Sequence, residues 1–115
     1  VSINNISFSS DGQGSLPAFD EEGNFVGLKI GQCSSLFKEV RDAVLNEKVD
    51  LSEALKVITV NPAQNMKLES KGKLAQGKDA DIVLLDRDKL TIDTVMAKGD
   101  IMIKSGQIIK KGTFE

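Results

Sequence analysis

The sequence has 115 residues, a formal net charge of −2 and no histidine. Hydrophobic residues make up 40% and charged residues 28%, which is typical of a chain that folds rather than remaining disordered. The charge excludes the basic surface that nucleic-acid binding requires, and no apolar run approaches the ~20 residues of a membrane span. Cys33 is the single cysteine, so an internal disulfide is excluded. We expect a soluble cytoplasmic protein that binds neither nucleic acid nor membrane.

The N-terminal part predicts one strand and a long loop. Residues 6–10 alternate apolar and polar side chains, which is typical of a strand. Turn-forming residues begin at Asp11 and include Pro17 and residues 20–24. We therefore predict a loop that continues to Gly31.

Two helices are predicted after this loop. Apolar residues recur at helical spacing from Ser34 or Ser35 to near Asn46, which indicates an amphipathic helix. Residues 50–53 read DLSE, a capping-box sequence in which the aspartate caps the first turn and the glutamate reaches back. A second helix is therefore expected to begin there.

Pro62 predicts the boundary between the second helix and a third. Proline disfavours the helical conformation in the residue before it and is well suited to the first position of a helix. With Asn61 as the N-cap, we predict a short helix from Ala63 to about Lys67.

The chain beyond Leu68 has β character. Residues 82–85 are the apolar run IVLL, typical of a strand buried on both faces. Residues 94–98 and 100–104 are further strand candidates, and the Ser-Gly pair at 105–106 predicts a hairpin turn. We expect a small sheet at the end of the chain.

The strongest candidate for chemistry is residues 9–15, SSDGQGS, where the predicted strand delivers Asp11 into a glycine-rich loop. Barrel enzymes place catalytic groups at the C-terminal ends of strands. Asp11 could ligate a cation or act as a general base. Gly12 and Gly14 would allow a sharp turn beside a ligand, and Ser15 could hydrogen-bond a polar substrate group. An aspartate-glycine pair is also ordinary turn chemistry, and spacing alone favours that interpretation.

Other acidic and thiol side chains are weaker candidates. Asp79, Asp81 and Asp86 could be considered as a cation site, but beside a buried strand we interpret them as turn and strand-end residues. Cys33 has no histidine to activate it, so we interpret it as a buried or partly buried structural thiol.

The whole chain resembles the C-terminal part of isoaspartyl dipeptidases, which hydrolyse the isopeptide bond made through an aspartate side chain. The resemblance rests on residues 9–15, on FDEEGN at residues 19–24 and on KGTFE at residues 111–115. Two less specific motifs, TVNPA at residues 59–63 and GKDADIV at residues 77–83, are shared by many amidohydrolases.

The resemblance implies a fold class. In that family a (β/α)8 barrel carries a binuclear zinc site, and a smaller β-rich domain is assembled from both ends of the chain. This sequence would then be a mixed α/β fragment. Residues 1–68 would supply the last barrel strand, the active-site loop and helices, and residues 69–115 would supply C-terminal strands of the accessory domain.

The resemblance also implies roles for four residues. Asp11 matches the aspartate that binds metal and shuttles the proton from the attacking water to the leaving amine. Ser15 matches a residue of the substrate-binding loop, to which Gly12 and Gly14 give backbone freedom.

The absence of histidine is a specific departure from the family. The family's metal site also needs histidines and a bridging carboxylate or carboxylated lysine from earlier barrel strands, and this sequence begins at Val1. We expect those ligands upstream, in a homo-oligomeric parent protein that hydrolyses β-aspartyl dipeptides with binuclear zinc. The fragment alone is expected to be inactive and to bind no zinc.

Two alternatives stay open. The general motifs also fit another amidohydrolase, such as a deacetylase or a cyclic amidase. A non-enzymatic interaction module is the other alternative, with its β-rich C-terminus pairing through exposed strand edges.

Overall fold

The computed structural model describes residues 1–112. By internal contacts the chain divides into two compact units, Val1–Asn61 and Pro62–Glu115. Thr113, Phe114 and Glu115, which end the KGTFE motif, lie outside the described residues. No helix in residues 1–112 is long and apolar enough to cross a membrane.

The first unit is built around two helices, α1 (Ser35–Leu45) and α2 (Leu51–Lys56). Helix α1 lies near its predicted position, whereas α2 begins where predicted but ends at Lys56 instead of continuing to Pro62. Ile3 and Ile6, from the N-terminal segment, pack against the core between them. Burial of these aliphatic side chains stabilises the unit without any aromatic contribution to the core. The core consists of three buried residues, Val40, Ala54 and Val57.

Helix α2 begins with the predicted aspartate cap. The Asp50 carboxylate accepts a hydrogen bond from the Glu53 amide at 3.1 Å and from the Ser52 hydroxyl at 2.5 Å. The Ser52 hydroxyl, followed by the Glu53 amide, holds the pKa of Asp50 below its ordinary value. The Glu53 carboxylate accepts from Lys56 Nζ at 2.6 Å, so it is engaged within the helix. The capping aspartate is confirmed.

Residues 6–10 do not form the predicted strand. The Phe8 amide donates to the Val57 carbonyl at 2.9 Å, a bond to the end of helix α2 rather than to a neighbouring strand. A parallel barrel strand is defined by neighbouring strands on both sides, and within residues 1–112 none is paired with this segment. Alternation of apolar and polar residues alone therefore did not establish a strand.

The predicted helix boundary at Pro62 is wrong. Helix α3 spans Val60–Asn65, so Asn61 lies inside it rather than capping it. The Asn61 side chain is only 3% exposed, and its Nδ2 donates to the carbonyls of Ile3 at 2.9 Å and Ile6 at 2.7 Å. Pro62 is accommodated because the amides of a first helical turn need no intrahelical acceptor.

The predicted loop between Asp11 and Gly31 contains a β-hairpin. Strands β1 (Ser15–Phe19) and β2 (Phe25–Ile30) are antiparallel, with Ser15 opposite Ile30. The turn formers connect the strands instead of extending a loop. Asp20 Oδ1 accepts from the amides of Asn24 at 2.8 Å and Glu22 at 3.0 Å. The Asn24 amide is the main cause of a lowered pKa at Asp20.

The second unit contains a four-stranded antiparallel sheet in the order β3-β4-β5-β6. Ser105 and Gly106 have φ values of 50° and 72°, as the predicted two-residue hairpin turn requires. The small C-terminal sheet is confirmed. Its strands are β3 (Ile82–Leu85), β4 (Ile92–Ala97), β5 (Asp100–Lys104) and β6 (Gln107–Ile108).

Strand β3 is an edge strand, and the prediction that it is buried on both faces is wrong. Val83 is 51% exposed and Leu84 is 54% exposed, whereas Ile82 and Leu85 are half-buried. An apolar run suits a strand covered by layers on both faces, but an antiparallel sheet can leave one face open. Val83 and Leu84 are consecutive, so their side chains point to opposite faces, and each face of β3 carries one exposed aliphatic side chain.

Candidate active-site turn

Asp11 lies in a tight turn between residues 6–10 and strand β1. Its φ of 48° is in the left-handed region, which aspartate tolerates better than most residues. The Asp11 carbonyl accepts a hydrogen bond from the Gly14 amide at 2.9 Å, which closes the turn. The Asp11 residue is exposed, so its carboxylate is accessible.

The Asp11 turn is fixed to the base of the hairpin through Gly31. The Gly31 amide donates to the Gly14 carbonyl at 2.8 Å, and the Gln13 amide donates to the Gly31 carbonyl at 3.0 Å. These two bonds continue the hairpin by one step beyond the pair of Ser15 and Ile30. The position of the turn is therefore determined by strand pairing, not by the turn sequence alone.

The glycines of the turn are needed for close approach rather than for positive φ. The left-handed residues here are Asp11 and Gln13, whose φ is 69°. A Cβ on Gly14 would lie 2.6 to 2.8 Å from the carboxylate atoms of Asp11. A Cβ on Gly12 would lie 2.5 Å from Cys33 Sγ. Any side chain at Gly12 or Gly14 would therefore collide with Cys33 or with Asp11. The backbone freedom that these glycines would give a substrate-binding loop stays a prediction.

The turn brings together three of the four predicted site residues. Asp11, Gly12 and Gly14 share it, and Ser15 follows as the exposed first residue of β1. Their roles toward a substrate stay predictions. Cys33 is exposed, so its interpretation as a buried or partly buried thiol is wrong. Its sulfur packs against the outside of the turn, beside Gly12.

Gly31 also belongs to this site, although the sequence predicts only that it ends a loop. It is the buried partner of the Asp11 turn. No local signal marks it, because the contact depends on the register of a hairpin that was itself not predicted.

The Asp11 turn offers one side-chain ligand to a metal ion. The Asp11 carboxylate is an oxygen donor that zinc accepts in proteins. Within residues 1–112, no group of three or more histidine, cysteine, aspartate or glutamate residues is arranged to hold a metal ion. Asp11 could therefore supply one ligand of a metal site, and residues 1–112 do not supply the other ligands beside it.

The acidic residues of the second unit have structural partners. Lys71 Nζ lies 2.8 Å from an Asp79 carboxylate oxygen and 2.5 Å from one of Asp81. Asp81 also accepts from the Lys98 amide at 2.8 Å. Asp86 Oδ1 accepts from turn amides, including that of Lys89 at 2.8 Å. Their interpretation as turn and strand-end residues is confirmed.

The Lys71 cluster predicts a pH-dependent stability. Hydrogen bonds from Lys71 lower the pKa values of Asp79 and Asp81 from the ordinary 3.8, and Asp79 in turn raises the pKa of Lys71 above 10.5. A lowered carboxyl pKa stabilises the fold above pH 3.8 and loses that effect as the pH falls through the lowered value. A raised lysine pKa stabilises the fold below pH 10.5 and loses that effect above it.

Lys71→Met is therefore expected to destabilise the protein at neutral pH and to have little effect in strong acid. Urea denaturation at pH 7 and at the acid limit of folding measures the difference. Lys73→Met, an exposed lysine two residues away, is the control and should show no such pH dependence. A Lys71→Met effect of equal size at both pH values would contradict the ion-pair explanation.

The chain belongs to the amidohydrolase family, whose profile matches residues 2–102. Within that family it is similar to the solved structure of a beta-aspartyl dipeptidase from Fervidobacterium islandicum AW-1, in complex with beta-Asp-Leu dipeptide. The two share 46% identity with a TM-score of 0.80. The match covers 97% of this chain and 28% of that one. The resemblance to isoaspartyl dipeptidases is confirmed.

Two other similar proteins match a shorter part of this chain. An allantoinase from Bacillus licheniformis is 38% identical over 62% of this chain and 15% of its own length. An N-acetylglucosamine-6-phosphate deacetylase from Lysinibacillus sphaericus is 34% identical over 62% of this chain and 18% of its own. This chain therefore spans less than a third of each of these relatives.

Proposed function

We propose that this chain is the C-terminal part of a metal-dependent isoaspartyl dipeptidase. The observation that carries the proposal is the 46% identity to a beta-aspartyl dipeptidase across 97% of the chain. In this assignment residues 1–68 contain the last barrel segment, its active-site turn and helices. Residues 69–115 belong to a β-rich accessory domain.

Asp11 is the catalytic residue in this proposal. Its exposed carboxylate accepts a proton from the water that attacks the isopeptide carbonyl, and then donates that proton to the leaving amine. One group can serve both steps because the first leaves it protonated for the second. Ser15, exposed directly after the turn, donates a hydrogen bond to a polar group of the dipeptide.

Zinc is the proposed cofactor, with Asp11 as one of its ligands. Zinc ions bound near Asp11 would lower the pKa of a bound water and polarise the scissile carbonyl. The remaining ligands must come from other parts of a longer protein, since this sequence contains no histidine. This chain on its own is therefore expected to be inactive and to hold no tightly bound zinc.

The test is a substrate panel with the parent protein, meaning the product of the complete reading frame that contains this chain. We expect hydrolysis of β-Asp-Leu, and none of α-Asp-Leu, after loading with zinc. The α-linked dipeptide is the matched control because it differs only in which aspartate carboxyl forms the bond. Equal rates on both dipeptides, or no hydrolysis of either, would contradict the proposed specificity.

A second candidate function is another amidohydrolase activity. The partial similarity to an allantoinase and to an N-acetylglucosamine-6-phosphate deacetylase favours it. Adding allantoin and N-acetylglucosamine 6-phosphate to the panel separates the candidates. Turnover of either one, without hydrolysis of β-Asp-Leu, would establish this alternative.

A further inference from the structure

We infer that Gly31, acting with Gly14, is a positioning residue that determines where the Asp11 carboxylate lies. The inference rests on the proposed function of Asp11. It concerns a residue that directly follows strand β2 and is not itself expected to touch substrate or metal.

The contact between Gly31 and Asp11 is made by backbone atoms. A Cβ on Gly31 would lie 2.4 Å from the Asp11 carbonyl oxygen and 3.2 Å from its carbonyl carbon. It would also lie 3.3 Å from the Ser10 carbonyl oxygen. Backbone atoms cannot rotate away as a flexible side chain can, so any side chain at position 31 must displace the turn.

The same turn is held from its other side by Gly14. The Gly14 amide binds the Asp11 carbonyl at 2.9 Å, and the Gly14 carbonyl accepts from the Gly31 amide at 2.8 Å. The Asp11 carboxylate lies directly over the Gly14 Cα, where a Cβ would be 2.6 Å from Oδ2. Asp11 is thus packed between two glycines that are hydrogen-bonded to each other, so a shift at Gly31 must move the carboxylate.

The hairpin also supplies a matched control at Gly27, which lies on strand β2, four residues before Gly31. Gly27 has a φ of 139°, yet a Cβ there would have no described atom within 4 Å. Gly31 has no positive φ, so its backbone conformation suits alanine, and only the steric contact with the turn disfavours alanine at this position. Gly27→Ala strains the backbone without touching Asp11, and Gly31→Ala touches Asp11 without straining its own backbone.

The experiment compares Gly31→Ala and Gly27→Ala in the zinc-loaded parent protein. For Gly31→Ala we expect kcat on β-Asp-Leu to fall about 100-fold, the loss typical of a catalytic group misplaced by about 1 Å. KM should stay within about twofold, because the substrate contacts are intact. Zinc affinity, measured by equilibrium dialysis and metal analysis, should weaken about tenfold or more. Gly27→Ala should keep kcat, KM and zinc affinity.

Three outcomes separate this inference from the proposed function. If Asp11→Asn abolishes activity while Gly31→Ala matches Gly27→Ala in kcat and zinc affinity, the positioning role is wrong and the proposed function stands. If Asp11→Asn hydrolyses β-Asp-Leu as fast as the unmodified protein, the catalytic role of Asp11 is wrong and the inference fails with it; if the unmodified parent protein does not hydrolyse β-Asp-Leu, the proposed function itself fails.

Gly14→Ala provides a second variant in case Gly31→Ala does not fold. It displaces the carboxylate directly and leaves the contact at Gly31 intact. We expect the same loss of kcat with KM little changed. An unchanged kcat would overturn the inference, and a rise in KM alone would also overturn it by assigning Gly14 to substrate binding.

Discussion

Asp11→Asn in the parent protein is expected to lower kcat/KM for β-Asp-Leu by about 10²–10⁴-fold, the usual contribution of general acid–base catalysis. Asparagine keeps the size of the side chain and tolerates the left-handed conformation, which Asp11 adopts at a φ of 48°. The substitution therefore removes the proton acceptor and the anionic ligand while keeping the turn. Steady-state kinetics with β-Asp-Leu measures the effect.

Asp20→Asn is the matched control for this substitution. Asp20 is also exposed, in the hairpin turn, and its carboxylate accepts backbone hydrogen bonds that an asparagine side-chain oxygen can retain. Its kcat/KM should stay close to that of the unmodified protein. If Asp11→Asn retained a comparable activity, Asp11 would not be the proton carrier.

Asn61→Ala is expected to cost about 1–3 kcal/mol of unfolding free energy, because it removes a buried donor from two backbone carbonyls. Asn61 is only 3% exposed and joins α3 to the carbonyls of Ile3 and Ile6, whose side chains pack on the first unit's core. The loss should therefore loosen the N-terminal segment that leads to Asp11. Urea denaturation of the chain should show a lower midpoint with an unchanged slope.

Gln64→Ala is the control for Asn61→Ala. Gln64 is exposed on the same helix, so its replacement by alanine should change stability by less than about 0.5 kcal/mol. Equal midpoints for the two variants would show that the Asn61 hydrogen bonds do not stabilise the fold.

The features that local sequence predicted correctly are those formed by neighbouring residues. Helix α1 follows from the spacing of its apolar residues, and the start of α2 from Asp50 acting on an amide three positions later. The turn at Ser105 and Gly106 follows from the positive φ that such a turn requires. In each case the stabilising contact joins residues that are only a few positions apart in the sequence.

The features that sequence did not predict depend on distant pairing. Asn61 precedes a proline, a position that predicts a helix cap. Its side-chain Nδ2 instead donates hydrogen bonds to backbone carbonyls more than fifty positions earlier. Turn formers around Asp20 suggested a continuous loop, although they connect two paired strands. Residues 6–10 have the alternation of a strand, but within residues 1–112 they are not paired with another strand. Propensity describes a segment's conformation and not its neighbours.

The candidate site also contains one part that local sequence predicted and one part that depends on distant pairing. Asp11 was selected from the motif at residues 9–15, and its turn is local. Gly31 was not selected, because its importance arises from the register that places it against Asp11. The lack of an activating histidine led to the prediction that Cys33 is a buried or partly buried structural thiol, but Cys33 is exposed beside Gly12.

A crystal structure of the zinc-loaded parent protein would show whether Asp11 is a metal ligand and is placed to carry the proton. We expect an Asp11 carboxylate oxygen about 2.0–2.2 Å from a zinc ion, the usual zinc–carboxylate distance. We also expect Gly31 to remain packed against the Asp11 carbonyl. A zinc site fully ligated by other residues, with the Asp11 carboxylate turned into solvent, would refute the role proposed for Asp11.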